Sequence, residues 1–462
     1  MRPFKRPDRS QLTLLPAAIE DWLPENHLAR FVVEIVEELD LYPYYSAYGN
    51  SGSPAYDPGM MLSLLFYGYA TGVFSSRKIE TATYDSVAFR YISGDLHPDH
   101  DSIAVFRQRF LPQLEQSFKD ILLIGSQMGL VKLGNVHIDG TKVQANASRH
   151  SAMSYGYMKQ LEARLKQEVA QLLELAKQTD DQETATVDIP KELAIREQRL
   201  KKIRAAKAEL EQRAQEQFDG EQQVYADKMK KRQDKEQETG RKTSGKPPKP
   251  PTGSAPGNKD QYNFTDPESR IMKTPDGYDQ CYNAQAAVND DMLIVGAHLT
   301  TNTTDRGELL PSLDSIPGEL GKPDAAVADA GYFSSENING AQNRGIEPYL
   351  ATGRIKHNNW LAEELEEPPK ITQDESSTPS KQMALKLKTQ EGKQAYGKRK
   401  MTVEPVFGII KEVMGFRRFS MRSEQKAAAE WMLVCTAYNI KRMFNITLKK
   451  AATATIAMQA IK

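Results

Sequence analysis

Two cysteines in 462 residues, three tryptophans and no net charge are what this sequence withholds. Cys281 and Cys435 form neither a metal-ligand spacing nor a disulfide framework, which excludes thiolate metal clusters and stapled secreted scaffolds. A reducing, intracellular setting is expected. Long apolar runs are missing too. The richest, MMLSLLFYGYATGVF at 60–74, is too short and too interrupted to span a bilayer. No secretory apolar region follows the basic start, so a soluble, cytoplasmic protein is expected. The apolar fraction of 39% is modest beside a charged fraction of 26%, so part of the chain should be solvated helix or linker. A neutral balance weighs against nucleic acid until it is counted locally. Residues 381–450 hold 16 Lys or Arg against 5 Asp or Glu, while acid gathers elsewhere, as in LAEELEEPPK at 361–370. The neutral total conceals a basic face suited to a polyanion.

The length calls for two or three domains. Residues 1–130 read as helices joined by short turns. Leu28, Phe31, Val32, Ile35 and Leu39 form one stripe. Asp57 caps and Pro58 opens a strongly apolar helix. Ser75-Ser76 starts a third, through Ile79, Ala82, Tyr84 and Val87, and Asp101-Ser102 caps a fourth, IAVFRQRFLPQLEQSF. Such a bundle suits a helix-turn-helix reader whose Arg77, Lys78, Arg90, Arg107 and Arg109 face phosphates; a solvated helix surface explains them equally well. Farther on the period becomes heptad-like. Met158, Leu161, Leu165, Val169, Leu172 and Leu175 form one stripe; Leu193, Leu200, Ile203 and Leu210 form another. With TDDQETATVDIP (179–190) between them, they predict an antiparallel helical hairpin. Residues 228–260, rich in Lys, Pro, Gly and Ser, read as a mobile linker.

The remainder alternates strand and helix. Strands at 281–290 and 292–302 meet at a turn around Asn289-Asp290-Asp291. A helix at 306–316 follows, then a short buried strand in 324–334 with Asp329 at its carboxyl end. SSENINGAQNRG is a helix, 346–353 a strand, and 354–400 an irregular segment. A helix at 402–416 has Thr402 as N-cap and Pro405 within its first turn. The last helix, 424–444, packs through Trp431, Val434, Cys435 and Tyr438. This order predicts an α/β fold with a mixed sheet flanked by helices, reactive at the carboxyl ends of its strands.

One stretch organises the rest: NVHIDGTKVQANAS at 135–148. Val136 and Ile138 alternate with His137 and Asp139, Gly140-Thr141-Lys142 reads as a turn, and Val143, Ala145 and Ala147 begin a second strand. Asp139 is either an ordinary acid at a hairpin mouth or a charge that needs a partner, solvent or a metal. Glu404, Gly408, Lys411 and Gly415 recur at one-face helical spacing, with Val406, Ile410 and Val413 toward the core. Here too an acid paired with a lysine of its own helix is the plainer reading.

Taken together and in order, HIDGTKVQANAS, TDPESRIMK, VADAGYFSSENI and YGKRKMTVEPVFGIIK resemble the blocks of DDE transposases from bacterial insertion sequences. The resemblance is nearest to those with a helical N-terminal transposase domain ahead of a ribonuclease-H-like core. It implies a catalytic triad of Asp139, Asp329 and Glu404, holding two Mg²⁺ or Mn²⁺ ions. It also implies a DNA-contacting set of Tyr396, Arg399 and Lys411, although the gap from Arg399 to Glu404 is one residue longer than in some branches. Residues 1–130 would then be an all-α domain binding DNA ends, and 131–150 with 262–446 the ribonuclease-H-like catalytic domain. Residues 151–261 would be an inserted helical hairpin plus linker, and 447–462 a C-terminal tail. The implied partners are double-stranded DNA, as terminal inverted repeats and target, and a second copy of the chain.

The chemistry gives three acids a reason of their own. Phosphodiester cleavage and strand transfer need an activated oxygen nucleophile and a stabilised leaving oxygen, which two divalent ions roughly 3.5–4 Å apart supply. Hard Mg²⁺ prefers carboxylate oxygen. No His, Cys or Ser arrangement offers a rival nucleophile, and His137 reads as a structural neighbour. Two other functions remain open at this level: a catalytically silent, transposase-derived DNA binder, and a stand-alone nuclease on the same core.

Overall fold

The computed structural model describes residues 18–49, 54–179, 188–243, 245–353 and 379–460. The acidic run at 361–370, the first part of the expected irregular segment and most of the polar link at 179–190 lie outside them. The chain forms two compact units. One comprises Met1–Asn146, Met272–Asp276 and Cys281–Lys462, the other Ala147–Ile271 and Gly277–Gln280.

The first unit opens with helices α1 (Leu28–Glu37), α2 (Tyr42–Tyr45), α3 (Pro58–Thr71), α4 (Ser76–Asp85), α5 (Val87–Ser93), α6 (His100–Arg109) and α7 (Leu111–Gln127). Asp57 accepts from the Met60 N–H at 2.8 Å, and Pro58 sits where no N–H is required, so α3 starts as its sequence dictates. The third and fourth expected helices each split in two. Extended backbone at Ser86 separates α4 from α5. Asp99, not Asp101, caps α6, and the chain restarts at Leu111 because Pro112 has no N–H for the turn before it. Arg107 is no phosphate contact: it is buried and donates to the Tyr69 hydroxyl at 2.8 Å, which in turn donates to Glu430 at 3.0 Å.

Strand β1 (Asn135–Gln144) corrects the expected hairpin. It is one continuous strand, and Gly140 lies within it opposite Gln285. A Cβ on Gly140 would stand 2.1 Å from Gln285 Nε2, so this glycine supplies clearance rather than a turn.

In the second unit, β2 (Ala152–Ser154) pairs with β3 (Gln261–Asn263) beside α8 (Tyr155–Thr179) and α9 (Ile189–Thr239). The helices are antiparallel, as the two stripes predict. Met158, Leu161 and Leu165 pack with Leu200, Ile203, Ala206 and Leu210, and Lys207 reaches Glu162 at 2.7 Å. Helix α9 runs on to a left-handed Gly240, so 228–239 is helix rather than linker. Its Lys, Gln and Glu residues are good helix formers even without a core to cover.

The remaining elements are β4 (Arg270–Thr274), β5 (Gly277–Asn289), β6 (Ile294–Thr300), α10 (Leu309–Asp314), β7 (Ala325–Ala328), α11 (Ser335–Asn343), β8 (Glu347–Leu350), α12 (Pro379–Lys388), α13 (Gln390–Gly408) and α14 (Glu424–Ala460), all in the first unit but for Arg270–Ile271 and Gly277–Gln280. The sheet order is β4-β5-β1-β7-β8, with β6 also on β5. Strand β1 is antiparallel to β5 and parallel to β7, which is parallel to β8. This is a mixed α/β fold of the ribonuclease-H-like kind, with β1 central and buried. Helix α14 packs beside β6 with Trp431, Val434, Cys435 and Tyr438 buried, and extends to Ala460 through most of the expected tail. Among the described residues no helix is long and apolar enough to cross a membrane.

Candidate active site

The parallel pairing of β1 with β7 sets Ile138 beside Ala328, so Asp139, in mid-β1, and Asp329, just past the end of β7, come next to each other. Asp329 caps the tight turn Ala330–Tyr332, accepting from the Gly331 N–H at 2.8 Å. Glu404 arrives on α13, which differs from its expected form. The helix begins at Gln390 under a Thr389 cap, and Thr402 lies mid-helix with its hydroxyl donating to Lys398 O at 2.9 Å. Pro405 is inside the helix, not in its first turn. The basic run before it carries buried Ala395 and Arg399 at helical spacing, which its charge had masked.

Helix α13 then gives way to a π turn, Ile409–Val413. The shared face expected for Glu404, Gly408, Lys411 and Gly415 therefore breaks up. Gly415 adopts φ +81°, and Val413 is 69% exposed instead of lying in the core.

The three acids meet at Arg399. Its Nη2 lies 2.9 Å from Asp139 Oδ2 and 3.9 Å from Asp329 Oδ2, and its Nη1 lies 3.1 Å from Glu404 Oε1. The guanidinium is buried, and its Nε has no hydrogen-bond partner among the described residues. Arg399 thus sits among the three carboxylates. Its positive charge lies among the three carboxylates and offsets their mutual repulsion.

Side-chain exposure is 18% for Asp139, 42% for Asp329 and 48% for Glu404. Desolvation, opposed by Arg399 and aided by the charges of Asp329 and Asp305, raises the Asp139 carboxyl to about 6. The Gly140 N–H donates to its Oδ1 at 2.9 Å. Tyr396 is half-buried within the field of Arg399 and all three acids, and burial raises its phenol. Lys411 does not join them: its Nζ donates to Lys142 O at 2.9 Å, and burial lowers its pKa. His137 pairs with Asp290 at 3.0 Å, the structural role expected of it.

Sequence reasoning missed a second layer. Asn283 and Gln285 are fully buried on β5, and both donate to Asp305 Oδ1, at 2.7 and 2.8 Å. Lys142 reaches the same oxygen at 3.3 Å. Two amides at alternate positions of the otherwise apolar run CYNAQAAV were the available signal.

The donor set suits a hard divalent cation, being oxygen only. Among the described residues no three His, Cys, Asp or Glu close to metal-holding distances; the guanidinium occupies the position between the acids.

Two neighbouring acids on a ribonuclease-H-like sheet, with a third from a late helix, suit chemistry on phosphodiesters. Residues 17–109 match the family model described as Transposase domain (DUF772), and residues 248–440 match the Transposase DDE domain. The chain belongs to the DDE transposases of insertion sequences. The DDE match includes Asp329 and Glu404, whereas Asp139 lies between the two matched segments. No curated protein and no solved structure matches the chain. Enzymes of this family generally use divalent metal ions and act on DNA.

Proposed function

We propose that this transposase binds the terminal inverted repeats of its element, cuts at their ends and joins them to target DNA, acting as a dimer in the bacterial cytoplasm and nucleoid. The observation that carries this reading is the convergence of Asp139, Asp329 and Glu404 on the single guanidinium of Arg399. These three carboxylates would hold two Mg²⁺ or Mn²⁺ ions, which activate the attacking oxygen and stabilise the leaving one. In each step a P–O bond of the DNA breaks as water or a DNA 3′-hydroxyl forms its replacement.

The chain's own groups do the positioning. Asp139, in the middle of the central strand, supplies a fixed oxygen. Asp329 and Glu404 are more exposed and complete the acid set. Arg399 neutralises the acids while no divalent ion is bound, and its remaining donors then serve terminal phosphates. Tyr396, close to Arg399 and the acids, would contact phosphates and bases beside the cut, and Lys411, held on the Lys142 carbonyl, would meet the DNA farther along. Helices α1–α7 carry exposed Arg77 and Lys78 for the terminal repeats.

The test is a donor plasmid carrying the element ends, incubated with Mg²⁺. Asp139→Asn and Glu404→Gln should retain end binding in a gel shift and lose both cleavage and joining. Normal joining by either variant would remove the triad from the reaction.

A further inference from the structure

Asp305 accounts for an arrangement that the three acids leave unexplained. One of its oxygens, Oδ1, accepts from Asn283, Gln285 and Lys142 together. Lys142 belongs to β1, three residues after Asp139. The Gln285 amide is thereby oriented. Its Nε2 faces Asp305 and the Asn283 Oδ1 at 3.0 Å, which leaves Oε1 to accept from the Tyr332 hydroxyl. Tyr332 is fully buried and closes the very turn that Asp329 caps. Asn337 fastens that turn from the other side, donating to Tyr332 O at 2.6 Å. The packing is tight at both ends. A Cβ on Gly140 would lie 2.7 Å from Asp305 Oδ1, and one on Gly331 would meet Asp329 Oδ1 at 2.9 Å and Asp305 Cβ at 3.8 Å.

We propose that Asp305 is a positioning residue that fixes Asp329 relative to Asp139, through a relay of Gln285 and Tyr332 on one side and Lys142 on the other. The inference rests on the reading that Asp139 and Asp329 hold the metal ions. A buried amide has two orientations, and only one presents its oxygen to Tyr332. The carboxylate selects that orientation, because an acceptor-only group cannot face the amide oxygen. Asp305 thus acts on the acids at second hand, as hydrogen-bonded groups behind a ligand set do when they hold carboxylates in place for a metal.

Mn²⁺ binding to the full-length protein, followed by electron paramagnetic resonance, tests this. Asp305→Ala should weaken binding about tenfold or more, the usual cost of losing such a supporting group. The Mn²⁺ concentration that half-saturates cleavage should rise in step, with the rate at saturating Mn²⁺ returning to within about twofold of the parent. Tyr332→Phe, which removes one hydroxyl and little volume, should give a similar loss. The double variant should bind no more weakly than the worse single one, since both break the same relay. Unchanged Mn²⁺ affinity in both single variants, or fully additive losses in the double variant, would overturn the relay. Asp139→Asn separates the two levels: if it binds Mn²⁺ as well as the parent, the triad assignment fails, and the role of Asp305 with it.

Discussion

Replacing Asp139 by Asn should abolish activity and, without metal, make the protein more stable at neutral pH. The carboxyl titrates at about 6 in the folded chain, against an ordinary value of 3.8. The folded state therefore holds this proton longer than the unfolded state. Below the unfolded value the protonated group carries no penalty. The penalty grows as pH climbs through the interval and is complete once pH passes the folded value. A shift of this size corresponds to about 3 kcal/mol, with roughly half already present at pH 5. The substituted amide has nearly the shape of the carboxylate and no charge to desolvate, and Arg399 would keep Glu404 and Asp329 as partners. Thermal unfolding with EDTA should show Asp139→Asn melting a few degrees above the parent at pH 8, with the gap narrowing by about half at pH 5. Millimolar Mn²⁺ should reverse the order at pH 8, because only the parent gains a ligand. An Asp139→Asn protein less stable than the parent at pH 8 in EDTA would show that the Arg399 bond outweighs desolvation, and the reasoning would fail.

Arg399→Ala should lose about 3 kcal/mol in EDTA, since it strands carboxylates around a vacated cation position, and should regain most of that with Mn²⁺. Equal responses of variant and parent to Mn²⁺ would contradict this. Gly140→Ala should cost about 1–3 kcal/mol in chemical denaturation, because its methyl would meet Gln285 Nε2 and Asp305 Oδ1 inside a packed sheet. A neutral substitution would mean that Gln285 moves freely. Affinity for the element ends should fall steeply between 50 and 200 mM salt, by about a thousandfold if some six phosphates are contacted. A flat salt response would exclude a basic DNA-binding face.

How much of this could be read from the chain itself depended on the element. Alternation and apolar runs marked β5, β6, β7 and β8 and the cap of α3, because each reports a local rule of burial or hydrogen bonding. The end of β7, just before Asp329, was legible for the same reason. Gly140 misled, since a glycine that makes room for Gln285 looks in sequence like one that makes a turn. The start of α13 was hidden because burial of Arg399 among acids is a tertiary fact, and a run of Lys and Arg reads as solvated surface. Lys411 was placed with Glu404 on the assumption of an unbroken α-helix, which the π turn at 409–413 invalidates. Asp305 lay in a polar stretch with nothing local to distinguish it. Only the fold brings it to Asn283 and Gln285.

The most direct single measurement is anomalous X-ray scattering from crystals of the protein soaked in Mn²⁺. Manganese peaks should stand between the carboxylates of Asp139, Asp329 and Glu404, with the Arg399 guanidinium moved away from them. Crystals that take up Mn²⁺ elsewhere, or that leave Arg399 undisturbed among the three acids at saturating Mn²⁺, would contradict a metal-dependent DNA transfer at this site.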